Sequence, residues 1–127
     1  MKWITLSGTS LVLFASACGG SGGSGLYSLQ KTQNCLSVMH VKLGGPLDFV
    51  ATTATGGAVK AQLPLNFVTI VFGETASDAD NIDEAYRRFH AKNVGIDDVL
   101  REDQNAVMLW HQHPADAEVA EITACLK

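Results

Sequence analysis

The chain has 127 residues, 46% of them hydrophobic and 17% charged, with a formal net charge of −4. That length suits one domain, and so apolar a composition excludes an ordinary disordered acidic chain. Nine Lys and Arg without a basic run argue against nucleic-acid binding, and no apolar run reaches the roughly 18 residues of a membrane-spanning helix.

The N-terminus opens Met1-Lys2-Trp3 and continues uncharged from Ile4 to Ala17. One positive charge, a short apolar core at Leu11-Val12-Leu13-Phe14-Ala15 and the small residues Ala15-Ser16-Ala17 are the parts of a secretory signal over residues 1–17. Because Cys18 follows directly, Phe14-Ala15-Ser16-Ala17-Cys18 resembles the lipobox of bacterial lipoprotein signals, with Ala15 where that class usually has Leu. The resemblance implies that Cys18 becomes thioether-linked to diacylglycerol and forms the first residue of the mature protein. It covers the N-terminal segment only and implies no fold. The alternative is a secreted protein cut after Ala17 with a free thiol at Cys18.

Gly19 to Gly25 contains only Gly and Ser, so it can bury nothing and reads as a flexible tether. Artificial linkers share this composition. A tether of that length spans about 15 Å, which would keep the domain close to the membrane surface. Of the three Cys, assigning Cys18 to a lipid leaves Cys35 and Cys125. In an exported protein those two are expected to pair, closing a loop of about 90 residues; two buried, reduced thiols are the alternative. No C-x-x-C is present, so the common redox and zinc patterns do not apply.

Residues 26–127 are expected to form a single domain. Thr32-Gln33-Asn34 is expected to cap a short helix from Cys35 to Lys42, with a strand as the alternative, stopped by Gly44-Gly45-Pro46. Leu47 to Thr53 and Ala58 to Leu63 are rich in β-formers, and Gly56-Gly57 between them suggests a hairpin. Asn66 to Gly73 is apolar on both alternating faces, as a central strand covered on both sides would be. Ile82, Ala85, Tyr86 and Phe89 then form a stripe at helical spacing. Ser77 or Asp78 is the expected cap of that helix, and Asn93 to Gly95 its end. Asp83–Arg87 and Glu84–Arg88 are i,i+4 pairs in the favourable order.

Val99-Leu100 is expected to turn through residues 102–105 into a strand at Ala106 to Trp110. Pro114 suits the first turn of a last helix with Val119, Ile122 and Leu126 inward. This order predicts an α+β domain: a four- to five-stranded, mainly antiparallel sheet with helices packed against it. The strand–helix–strand step from 66 to 110 allows one parallel pair.

His111-Gln112-His113 is the one metal-like signal, since i and i+2 on a strand point the same way. A third ligand is needed, and spacing brings none of His40, His90 or Asp116 to it. A strand end and a residue before Pro114 account for both His without a metal. Residues 78–83 resemble a calcium loop but have Ile82 at a ligand position and lack the required Gly. Residues 74–103 carry nine acids against four bases, net −5, which reads as a solvated face. There is no G-x-S-x-G and no P-loop. Tyr27 and Trp110 can line a groove, though large aromatics are commonly core.

The expectation is therefore a membrane-tethered, extracytoplasmic domain of the bacterial cell envelope, lipid-anchored through Cys18, or secreted if that residue is unmodified. Its role would be binding or structural rather than enzymatic, with no cofactor and no nucleic acid. The partner is an unspecified protein, wall component or small molecule. The alternative is a small secreted enzyme or metal-binding protein using His111 and His113.

Overall fold

A computed structural model describes residues 25–89 and 95–127. The expected signal segment, Cys18 and the expected tether through Ser24 lie outside the described residues, as do His90 and Asn93. Ser28 is extended and its hydroxyl accepts from the Lys31 amide, so the first helix, α1 (Leu29–Val38), starts well before the expected Cys35. It also stops earlier than Lys42. The Val41 amide donates to the Leu36 carbonyl and the His40 amide to that of Ser37, closing a Schellman turn. His40 takes the left-handed position (φ 61°) where glycine is usual, which hid the stop signal.

The two-residue strand β1 (Lys42–Leu43) follows. Leu47 to Thr53 is not a strand. Asp48 accepts from the Ala51 amide at 2.9 Å and caps a single helical turn, α2 (Phe49–Thr52). Gly56-Gly57 is accordingly no hairpin turn. It lies along the end of a later strand, where the Gly56 amide donates to the Phe72 carbonyl and the Gly57 carbonyl accepts from the Phe72 amide. A Cβ on Gly56 would come within 2.5 Å of the Phe72 carbonyl oxygen, so the close approach requires glycine.

Strands β2 (Ala58–Gln62) and β3 (Phe67–Phe72) form the true hairpin, joined through Pro64-Leu65. α3 (Ala76–Phe89) is capped by Thr75, two residues earlier than the nearer expected cap, Ser77; its hydroxyl accepts from the Asp78 amide at 3.1 Å. α4 (Ile96–Val99), β4 (Leu100–Asp103), β5 (Ala106–Trp110) and α5 (Asp116–Ala124) complete the chain. Pro114 lies just before the cap residue Ala115 rather than in the first turn, and Glu118 accepts from the Ala115 amide at 2.9 Å.

The sheet runs β1-β2-β3-β5-β4 with every neighbouring pair antiparallel, which is the α+β class with five strands. Among the described residues no parallel pair forms, because β5 inserts between β3 and β4, which run in the same direction. Register divides the side chains between two faces. Val59, Ala61, Val68, Ile70, Met108 and Trp110 meet Leu36 of α1 and Ile122, Cys125 and Leu126 near the C-terminus. On the opposite face, Val71, Val107 and Leu100 meet Ala51 of α2 and Ala79, Ile82 and Tyr86 of α3. Both faces of β3 are thus buried from Val68 to Phe72, as its sequence predicts, with α2 and α3 lying over the Val71 end of the second face. Cys35 and Cys125 are disulfide-bonded with Cα atoms 5.4 Å apart, tying α1 to the end of α5. Among the described residues no helix is long and apolar enough to cross a membrane.

Candidate functional site

α2 and α3 cover only part of their face of the sheet. α3 begins at the end of β3 marked by Gly73, and Ile82 and Tyr86 seat it over Val71 and Val107. Cross-strand partners Lys60, Thr69 and Leu109 form the next row on this face. Beyond them lie Gln62, Phe67 and His111, whose amide continues the ladder by donating to the Phe67 carbonyl at 2.9 Å. This far end of the face is lined but not closed.

Two adjoining clefts result, sharing Asp48 and Leu109. One, of about 340 Å³, lies between α2 and the end of α3 and is lined by Phe49, Val50, Tyr86 and Phe89 as well. The other, of about 410 Å³, lies over the bare rows and includes Leu47, Lys60, Phe67, Thr69 and His111. Both volumes fall within the ~300–1,000 Å³ of ordinary ligand sites. Phe49 is 75% and Phe89 71% exposed at the rim. Phe89 was expected on the buried stripe of α3; Ala79 takes that place in the core, with Ile82 and Tyr86.

Polar groups are few and well held. Both Asp48 carboxylate oxygens accept from the Tyr86 hydroxyl, at 3.0 and 2.9 Å. Burial, followed by the hydrogen bond to Asp48 and its charge, pushes the Tyr86 hydroxyl far above the usual phenol range, so it remains a donor. The Lys60 ammonium sits 4.4 Å above the centre of the Phe67 ring. His111 stacks on the same ring, with centroids 4.3 Å apart and an interplanar angle of 17°.

The structure separates the two metal candidates. His111 lines the sheet cleft, whereas His113 lies past the strand end in a separate open concavity with Leu65, Pro114 and Asp116. His40 sits in the turn after α1, and His90 is outside the described residues. Among the described residues no group of three His, Cys, Asp or Glu is placed to hold a metal ion. Trp110 and Tyr27 join the core side, and Trp110 also lines the sheet cleft: it is 2% exposed, with its indole N–H unpartnered among the described residues. Tyr27 packs against the core and donates to Asp103 at 3.1 Å.

The acidic segment 74–103 is partly consumed by local structure. Arg87 bridges Asp83 and Asp97, each at 2.6 Å, and Arg88 pairs with Glu84 at 3.0 Å. The hydrogen bonds to Asp97 and then Asp83 raise the Arg87 pKa further. What sequence reasoning missed is the cleft itself. Lys60 and Thr69 alternate with core residues in ordinary strand fashion, and nothing local marks which end of their face stays bare. In comparisons with protein families, curated proteins and solved structures, this chain has no match.

Proposed function

We propose that this protein is a membrane-tethered, extracytoplasmic binding module of the bacterial cell envelope. A lipid on Cys18 would anchor it, and the cleft between α2, α3 and the bare end of the sheet would bind its partner. The observation that carries the binding reading is the exposure of Phe49 and Phe89 at the mouth of a concave, largely apolar site. The tether reading rests on the lipobox-like Phe14-Ala15-Ser16-Ala17-Cys18, the Gly/Ser stretch, and the pairing of the other two Cys with each other.

The entry point of the chain supports an orientation. Gly25 lies against Gln104 in the β4–β5 turn, and Tyr27 is hydrogen-bonded to Asn105 beside it. That is the end of the sheet where α3 begins, since Gly73 is bonded to the same Asn105. Phe89 lies at the other end of α3, about 20 Å away along its axis. A tether of about 15 Å would therefore be attached at the end of the domain remote from the cleft mouth.

Two measurements on the full chain test this reading. Mass spectrometry of the mature protein should find diacylglycerol on Cys18, and Cys18→Ala should shift it to the soluble fraction; an unmodified N-terminus defeats the tether. A photo-crosslinking residue introduced at Phe89 in the producing cell should capture a ligand or partner. The same residue at exposed Ala117 on α5 should not, and equal capture at both positions, or none, defeats the cleft.

A further inference from the structure

We infer that the Phe49–Tyr86–Phe89 end of the cleft is a site for a freely diffusing organic cation bearing a substituted ammonium group. The inference rests on the reading of this cleft as the binding surface and names its ligand chemistry. Three aromatic side chains from two helices line one concavity with a single carboxylate, Asp48. Aromatic faces carry partial negative charge and attract cations, most strongly where water is partly excluded.

Asp48 adds a formal charge that no ion pair among the described residues balances. Its partners are the Tyr86 hydroxyl and the Ala51 amide, both neutral donors. They fix the carboxylate in place while leaving its charge. Among the described residues the ion pairs are made by Arg87 and Arg88, and Asp48 is in none of them. Lys60, which lines the adjoining cleft together with Asp48, is positioned over the Phe67 ring and makes no ion pair with Asp48.

That combination discriminates among ligand classes. Asp48 repels anions. A single carboxylate is too few donors for a calcium or zinc ion. Guanidinium and primary ammonium groups carry several N–H donors, and the concavity offers one carboxylate already engaged by two others. A quaternary or tertiary ammonium needs few acceptors, presents apolar methyl groups to the rings, and has its charge met by Asp48. The volume of about 340 Å³ suits a small molecule.

The test is calorimetric titration of the full chain in maltoside micelles with choline and with its uncharged carbon isostere, 3,3-dimethylbutan-1-ol. Choline should bind saturably and the isostere about tenfold more weakly or worse. Asp48→Asn should weaken choline by about tenfold, and Phe89→Leu, an exposed change that keeps the residue apolar, by about threefold without affecting the isostere. Equal binding of isostere and choline overturns the inference, as does undiminished choline binding by both variants. Glycerophosphocholine, with a phosphate near the ammonium, should bind more weakly than choline; tighter binding would assign the site to a lipid headgroup instead. Should crosslinking at Phe89 capture a partner while choline fails to bind, the cleft stands as a binding surface and the cation assignment falls.

Discussion

Asn105 does more for this fold than its place in a turn suggests. It is 2% exposed, and its side chain makes three hydrogen bonds: from the Tyr27 amide at 2.6 Å, to the Tyr27 carbonyl at 2.9 Å and to the Gly73 carbonyl at 2.8 Å. One amide group thereby joins the start of the domain, the end of β3 and the β4–β5 turn. Asn66 plays the same part at the other end of β3, accepting from the Phe67 and Gln112 amides and donating to the Gln112 carbonyl. Removing Asn105 would leave buried backbone groups unpaired, at about 1–3 kcal/mol for each group that water cannot reach. Asn105→Ala should lower unfolding free energy by about 3 kcal/mol, read from urea denaturation at unchanged slope. A loss within about 0.5 kcal/mol, typical of an exposed turn position, would contradict this role. The partners are 32 and 78 residues distant, so nothing in the local sequence separated this Asn from ordinary turn chemistry.

At the scale of elements, the contact of α3 with the edge strand β4 is acidic on both sides. Glu102 is exposed, yet partial loss of solvent against α3 is the largest influence on it, followed by the side-chain interaction with Asp80 and the charges of Asp80 and Asp83, opposed by Arg87; together they push its carboxyl up to about 7. The unfolded reference is 4.5, so between about 4.5 and 7 the folded state binds more protons than the unfolded chain. Stability should therefore fall as pH rises through that window and flatten above it. Glu102→Gln mimics the protonated form and should raise Tm at pH 8 while leaving it nearly unchanged at pH 4. Melting curves across that range decide the matter, and parallel profiles for the two proteins would rule the effect out. α3 itself was legible because Ile82 and Tyr86 recur at helical spacing and both are buried. α2 was not, because Phe49-Val50-Ala51-Thr52 has strand-like composition while the Asp48 cap and the absence of an adjacent strand made it helical.

Across the whole molecule, Cys35–Cys125 spans 90 positions and joins the two terminal helices on one face of the sheet. The Ser28 amide also donates to the Lys127 carbonyl, so the two ends of the domain meet. Cys125→Ala should lower stability by about 2–5 kcal/mol, measured by guanidinium unfolding without reductant. Adding reductant to the wild type should reproduce most of that loss, and no change in either experiment would show that the bridge does not form in solution. Strong periodic segments were readable from the chain alone, because a buried strand and an amphipathic helix are each stated by residues within their own segment, and Cys35 and Cys125 are the only two Cys after the Gly/Ser stretch. These features sufficed for the α+β class, the central position of β3 and the pairing of Cys35 with Cys125. Which end of the sheet stays bare, that Phe89 stands at a cleft mouth rather than in the core, and that His111 and His113 part company were decided by tertiary structure. Those outcomes depend on strand register and on how far α2 and α3 extend over the sheet, and both are set by contacts between segments distant in sequence.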